Sequence, residues 1–265
     1  MKKIVLLFFL VLFMANFAFA RDEDFGFKGP LNYFQSKILE RVISTQVQKV
    51  VGGKVQTQVS SYGAKALRQG VFKSAKISGE DLQFDGLTLS GFVAETVTEN
   101  NRIDISDKKS PKLLTDVRGE YKATLTNDDI QKVLNSSVCR KEISKINKKL
   151  APFAEISDVE MFCQTNRLHL KLNMVSGLFG TSFAVSASTG IYSDAGWAEL
   201  QDVKFSKKMK LGLSDSVIAV LNDLNPINLV IKELDNAKLD ISVNEIKIVD
   251  DKIEIFGIIN VYRGV

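Results

Sequence analysis

Histidine occurs once, tryptophan once, cysteine twice and proline four times in 265 residues. Without a second His, or a Cys beside His169, there is no ligand set for zinc. His169 falls on the polar side of the alternation Leu168, Leu170, Leu172, so it reads as an exposed strand residue and not as a general base. No Gly-x-Ser-x-Gly elbow occurs, and Gly52-Gly53-Lys54 lacks the upstream glycine and trailing hydroxyl of a phosphate loop. The thirty-one acidic residues offer no pair that stands out: Asp128-Asp129 suits a helix start and Asp250-Asp251 a turn. No catalytic residue, metal site or cofactor is therefore expected. Scarce proline with 45% apolar and 25% charged residues excludes a disordered or collagen-like chain.

One long apolar run is present, at the N-terminus. Lys2 and Lys3 precede an uncharged, almost wholly apolar stretch over residues 4–17, and Ala18-Phe19-Ala20 supplies the small residues of a signal-peptidase site. A signal peptide over residues 1–20, cleaved before Arg21, is the expectation, giving an exported protein of the periplasm or envelope space. The first cysteine is Cys139, so no lipid-accepting cysteine follows the signal. No later stretch approaches the ~18 apolar residues of a membrane-spanning helix. Without the signal, thirty-three basic residues face thirty-one acidic ones, a net +2 that is too balanced for nucleic-acid binding. An oxidising compartment permits a Cys139–Cys163 disulfide, which across a loop of roughly 25 residues contributes about 3 to 4 kcal/mol in the chain-entropy model.

Periodicity sets the expected fold. Pro30 precedes a helical spacing of Leu31, Phe34, Ile38, Leu39, Val42, Ile43, Val47, Val50 and Val51, ended by Gly52-Gly53, which predicts a helix over residues 31–51 about 30 Å long. Residues 54–60 alternate as a strand. Three apolar pairs then surround turn residues: Leu82 and Phe84 before Asp85-Gly86, Met161 and Cys163 before Gln164-Thr165-Asn166, and Ile246 and Ile248 before Asp250-Asp251. The unequal spacing makes this a recurring hairpin and not a solenoid repeat. Thr126 and Asp129 form a capping pair ahead of Ile130, Val133 and Leu134; a second helix starts at Ser214 and a short third follows Pro226. Ile241 and Val243 are odd while Ile246 and Ile248 are even, which predicts a bulge near Asn244. The fold class expected is α+β: a long, strongly bent antiparallel sheet wrapped around a long N-terminal helix, with two or three shorter helices, in one domain over residues 21–265.

Two features remain. Arg140, Lys141, Lys145, Lys148 and Lys149 crowd a segment whose Ile143, Ile146 and Leu150 are spaced for a helix, a pattern that suits both a solvated face and a surface lying on anionic headgroups. The chain also carries seventeen Phe, with Phe72, Phe84, Phe153, Phe179 and Phe183 among those in or beside strands. They fit a filled core or a hydrophobic groove equally well.

The order of motifs resembles one family. The run from Gly70-Val71-Phe72-Lys73-Ser74-Ala75-Lys76-Ile77-Ser78-Gly79 through Asp81-Leu82 and Asp85-Gly86-Leu87-Thr88-Leu89, then Leu125-Thr126-Asn127-Asp128-Asp129-Ile130, then a closing hairpin over residues 239–261, is similar to the LmeA-like family of secreted bacterial phospholipid-binding proteins. The resemblance spans roughly residues 31–262. It implies a single-module relative of the tubular lipid-binding proteins, with acyl chains held between sheet and helix and no catalytic residues to transfer. The Cys139/Cys163 pair and the polar excursion around residues 100–110 depart from it. The expected lining is Phe34, Ile38, Val42, Phe72, Leu82, Phe84, Leu87, Leu89, Leu168, Leu170, Leu172, Met174 and Phe183, with the basic segment meeting an anionic membrane surface. The function expected is that of an exported, non-enzymatic phospholipid-binding protein in envelope lipid or glycolipid transport or metabolism. The alternative is a non-catalytic assembly protein with a solid core that packs on a protein partner.

Overall fold

Period-two alternation dominates the chain and strands dominate its structure. The computed structural model describes residues 53–84, 87–104, 112–151, 153–177, 179–206, 213–234 and 239–263. In order these form β1 (Lys54–Ser60), α1 (Ala64–Arg68), β2 (Val71–Phe72), β3 (Ser74–Phe84), β4 (Leu87–Thr96), β5 (Asn101–Asp104), β6 (Lys112–Leu113), β7 (Val117–Thr126), α2 (Asn127–Leu134) and α3 (Ser137–Leu150). They continue with β8 (Ala154–Gln164), β9 (Arg167–Ser176), β10 (Ser182–Asp194), β11 (Trp197–Phe205), α4 (Leu213–Asp223), α5 (Pro226–Leu234), β12 (Leu239–Val249) and β13 (Lys252–Val261). The expected signal peptide and the helix over residues 31–51 lie outside the described residues.

Three antiparallel sheets result, with strand orders β1-β3-β4-β7-β13-β12, β11-β10-β9-β8 and β2-β5-β6. This corrects the expected fold: the described chain is a mostly β structure of three sheets with short helices, the longest of fourteen residues, and not one bent sheet around a long helix. The physical reason is that the four-stranded sheet is closed at both edges by helices that arrive mid-chain. On β8, Cys163 N donates to Asn127 Oδ1 at 2.6 Å, and Asn127 Nδ2 donates back to Cys163 O at 3.1 Å. Gln131 Nε2 donates to Met161 O at 2.7 Å. Asn147 makes the same two-way clamp on Ile156, with bonds of 2.8 and 3.1 Å. A register shift between Ile156 and Asp158 brings Ile156 into phase with Cys163 on this edge. On β11, Asn228 clamps Ala198 with bonds of 3.0 and 2.8 Å, and Leu200 N donates to Asn222 Oδ1 at 2.9 Å. These side chains occupy backbone groups that an added strand would need, which blunts both edges.

Three hairpins carry the sheets, each an eleven-residue strand joined through two residues to a ten-residue strand, starting at Ser74, Ala154 and Leu239. Thr165 and Asn166 both have positive φ, 54° and 58°, the condition of a type I′ turn that matches strand twist. The six-stranded sheet has the expected wet face, where Lys122 pairs with Glu254 at 2.7 Å and lies with Lys247 over the Phe256 ring. Its other face buries Leu125, Ile253, Ile255 and Ile259. The register of β12 shifts between Val243 and Glu245, where the parity change requires it. This bulge also joins the sheets: Val243 N donates to Gly196 O at 2.9 Å and Ser193 Oγ donates to Val243 O at 2.6 Å.

Helix α2 is the wedge between the sheets, packing on β4, β7 and β8. Thr126 and Asp129 form the expected reciprocal cap. The Asp129 carboxylate, buried, also accepts from Ser90 N at 3.1 Å and from the Ser90 hydroxyl, so the same group that starts the helix ties it to β4. Ile130 and Val133 are then fully buried.

The expected disulfide is not formed: Cys139 and Cys163 are both buried free thiols. The compartment argument allowed a bridge, but each sulfur is packed as a core group instead, Cys139 in the first turn of α3 and Cys163 on the clamped edge of β8. Burial, with a smaller contribution from the Glu142 carboxylate, pushes the Cys139 thiol up to about 11; burial and then the Asp251 carboxylate push Cys163 up to about 12.

Asn127→Ala leaves the Cys163 N–H and C=O unpaired and should destabilise the fold by about 2 to 4 kcal/mol, read from urea unfolding. Native protein should react negligibly with a thiol reagent and the unfolded chain should titrate two thiols. Because unfolded thiols ionise near their ordinary 9.0 while the native ones keep their protons to about 11 and 12, the native state binds more protons in that window. Stability should therefore fall as pH rises from 9, and more shallowly in a Cys139→Ala/Cys163→Ala variant.

Candidate functional site

The expected lipid lining is dispersed. Phe34, Ile38 and Val42 lie outside the described residues. Phe72 belongs to the three-stranded sheet, Leu82 and Leu89 face each other across β3 and β4, and Leu168, Leu170, Leu172 and Met174 line β9 in the four-stranded sheet. All seven are buried, and the β9 leucines are fully enclosed in the core. Phe84 and Leu87 are register partners at the end of the β3–β4 hairpin. Phe183 alone stands apart, 43% exposed.

Phe183 marks one end of the four-stranded sheet, and the neighbouring turns add two more aromatic rings. Phe153, between α3 and β8, is 69% exposed, and Phe179, in the β9–β10 turn, is 80% exposed. Their side chains are in solvent, yet the backbone beneath them is tied down. Phe153 N donates to Leu150 O at 2.9 Å, and Gly177 N donates to Phe153 O at 2.9 Å, linking the two turns directly. Ser176 N donates to Thr181 O at 2.9 Å and Gly180 N to Ser176 O at 2.8 Å. Gly180 has φ 62°, a left-handed conformation that a side chain would strain. Two hydrogen-bonded turns thus hold exposed aromatic rings at one end of a sealed sheet.

The basic helix sits against this end. Ser136 caps α3 by accepting from Cys139 N at 3.2 Å, and Ile146 and Cys139 bury its inner face. Arg140, Lys141, Lys145, Lys148 and Lys149 are all exposed. Lys148 and Lys149 occupy the last turn, where the carbonyl end of the helix favours positive charge, immediately before Phe153. Lys145 pairs with Glu142 at 2.7 Å. The structure puts Lys148 and Lys149 in the last turn of α3, which leads into Phe153, and to Phe183 of the sequence reading it adds Phe153 and Phe179, which the sequence offered only as bulk. Their signal was a Phe set among turn residues, as in Gly177-x-Phe179-Gly180.

His169 is on the outer face, half-buried and stacked on Phe162 with ring centroids 5.2 Å apart. Nearby, Arg167 donates to Asp202 Oδ2 at 2.9 Å and to its carbonyl at 2.7 Å; the first bond holds the Asp202 carboxyl below its ordinary range. Glu160 is lowered in the same way by Lys171. These pairs belong to the wet face and not to the aromatic end. Among the described residues no three His, Cys, Asp or Glu side chains are grouped to hold a metal ion, and no helix is long and apolar enough to cross a membrane. Comparison with known proteins gives no match of the chain to a family model, to a curated protein or to a solved structure.

Proposed function

We propose that this is an exported, non-catalytic phospholipid-binding protein that works at an anionic envelope membrane, in lipid or glycolipid transport or metabolism. The observation that carries the reading is the placement of Phe153 and Phe179 in solvent on tied turns, with the half-exposed Phe183 at the start of β10, near the C-terminal end of the basic helix α3. Soluble proteins rarely leave several large apolar side chains exposed together, and a grouped patch of this kind marks a contact surface. Aromatic rings next to lysine and arginine match the interface of an anionic bilayer, where the rings enter the acyl boundary and the cations stay at the headgroups. The order of motifs shared with the LmeA-like family points the same way.

The magnitudes suit reversible binding. Transfer of the exposed parts of three Phe side chains is worth on the order of 5 kcal/mol. Each basic residue near an anionic surface adds about 1 kcal/mol, diminished by salt. A single myristoyl chain gives similarly marginal, reversible attachment, with K of about 10⁴ M⁻¹. A protein that visits a membrane to collect or deliver lipid needs attachment in this range.

The test is sedimentation with vesicles of phosphatidylcholine alone or mixed with phosphatidylglycerol. The protein should bind the anionic vesicles, more weakly as salt rises. Phe153→Ser/Phe179→Ser should weaken binding by about a hundredfold while leaving thermal unfolding unchanged, since each ring contributes about 1.5 to 3 kcal/mol on full transfer. Unaltered vesicle binding by that variant would defeat the reading. Protein recovered from envelope extract with a protein partner and no lipid would favour the assembly role.

A further inference from the structure

A groove of about 680 Å³ runs between α3 and the start of β8, within the size range of small-molecule sites. One wall is a single stripe of α3: Arg140, Ser144 and Lys148, each four residues from the next, which sets a guanidinium, a hydroxyl and an ammonium in line over about 12 Å. Glu155, at the start of β8, brings a carboxylate into the same groove, and Ile143 and Ala154 give it an apolar floor. Asn147 also lines it, but its amide is committed to both backbone groups of Ile156. That clamp fixes the spacing of the two walls.

The groove carries charges of both signs that are exposed and not paired with one another. Among the described residues Arg140, Lys148 and Glu155 have no ion-pair partner, although cations and carboxylate share one groove; Lys145, one step around the helix, is paired with Glu142. A ligand that satisfies both signs carries an anion and, a short distance away, a cation that donates hydrogen bonds. Gly177 lies at the end of the groove and is the residue whose N–H holds Phe153 in place. The groove is therefore adjacent to the aromatic end, at the level that headgroups occupy when those rings enter the acyl boundary.

We propose that this groove is a headgroup site for phosphoethanolamine lipids. The phosphate lies between Arg140 and Lys148 with Ser144 donating to it, the primary ammonium reaches Glu155, and the glycerol and first methylenes rest on Ile143 and Ala154. A choline headgroup has no N–H to give Glu155, and a phosphoglycerol headgroup leaves that carboxylate without a cation. The site rests on the membrane-binding reading and deepens it by naming the lipid class.

Two measurements separate the site from the reading it rests on. In the first, water-soluble glycerophosphoethanolamine is titrated into the isotope-labelled protein. Amide signals of Arg140, Ser144, Glu155 and Gly177 should shift, and should move far less with glycerophosphocholine or inorganic phosphate at equal concentration. Equal shifts with phosphate would reduce the groove to an anion site and overturn the assignment, as would no shift with the ethanolamine probe. In the second, vesicles keep a fixed fraction of phosphatidylglycerol while phosphatidylcholine is exchanged for phosphatidylethanolamine. Binding should tighten by about tenfold, the worth of one charge-assisted hydrogen bond, and Glu155→Gln should abolish that gain, read as the ratio of the variant's own binding with and without ethanolamine lipid. Binding without ethanolamine preference, or a preference that survives Glu155→Gln, defeats the groove alone; no binding to any vesicle defeats the membrane reading, while the soluble probe still decides the groove.

Discussion

An exposed strand edge presents a row of backbone donors and acceptors that must be paired, covered or left as a site of further strand addition. Side-chain amides close both edges of the four-stranded sheet here. Asn127, Gln131 and Asn147 cover β8, and Asn222 and Asn228 cover β11. An amide suits this work because one planar group carries a donor and an acceptor side by side and so answers both backbone groups of an edge residue, as a neighbouring strand would. The consequence reaches the surface. The Asn147 clamp fixes the last turn of α3 to β8, and with it the walls of the groove and the position of Phe153. Rigid turns that display rings lose less conformational freedom on contact than mobile ones, so in the proposed membrane contact the clamp would add affinity without touching lipid.

Local features were legible in the sequence where a single stretch of chain decides them. The three hairpins follow from alternation and turn residues, the α2 cap from Thr126 and Asp129, and the β12 bulge from a parity change that admits no other regular pairing. The sheet count was not legible, because it depends on contacts such as Asn127 with Cys163, thirty-six residues apart. In the sequence that Asn is only a polar residue near a helix start. Expecting one continuous sheet therefore missed the edges, where amides stop it. The cysteines misled for a related reason: exported location and a short loop permit a bridge, but packing decides whether two sulfurs meet.

The site was half legible. The basic spacing of α3 placed Arg140 and Lys148 on a helix, and the structure aligns them with Ser144 on the groove wall. Glu155, on the opposite wall, carried no sequence signal, since an acidic residue opening a strand is ordinary. Seventeen Phe could not be sorted into core and surface from composition, because burial depends on which turn ends beneath each ring. Leu168, Leu170 and Leu172 were read as lining and are instead buried in the core.

The arrangement also orients the molecule. β10 runs from the aromatic end at Phe183 to Ser193, where the β10–β11 turn meets Val243 and joins the two larger sheets. At about 3.3 Å per residue these ends are up to roughly 35 Å apart. Charge steering beyond about 10 Å is screened at physiological salt, so in the proposed membrane contact only basic residues near the aromatic end would contribute. Net charge is thus a poor guide to this protein, and its distribution a good one. Under the proposed membrane reading, rings and cations would act at one end of the four-stranded sheet and leave the inter-sheet joint at Val243 at the other. The wet face of the six-stranded sheet, with paired charges such as Lys122 and Glu254, would then keep its solvation.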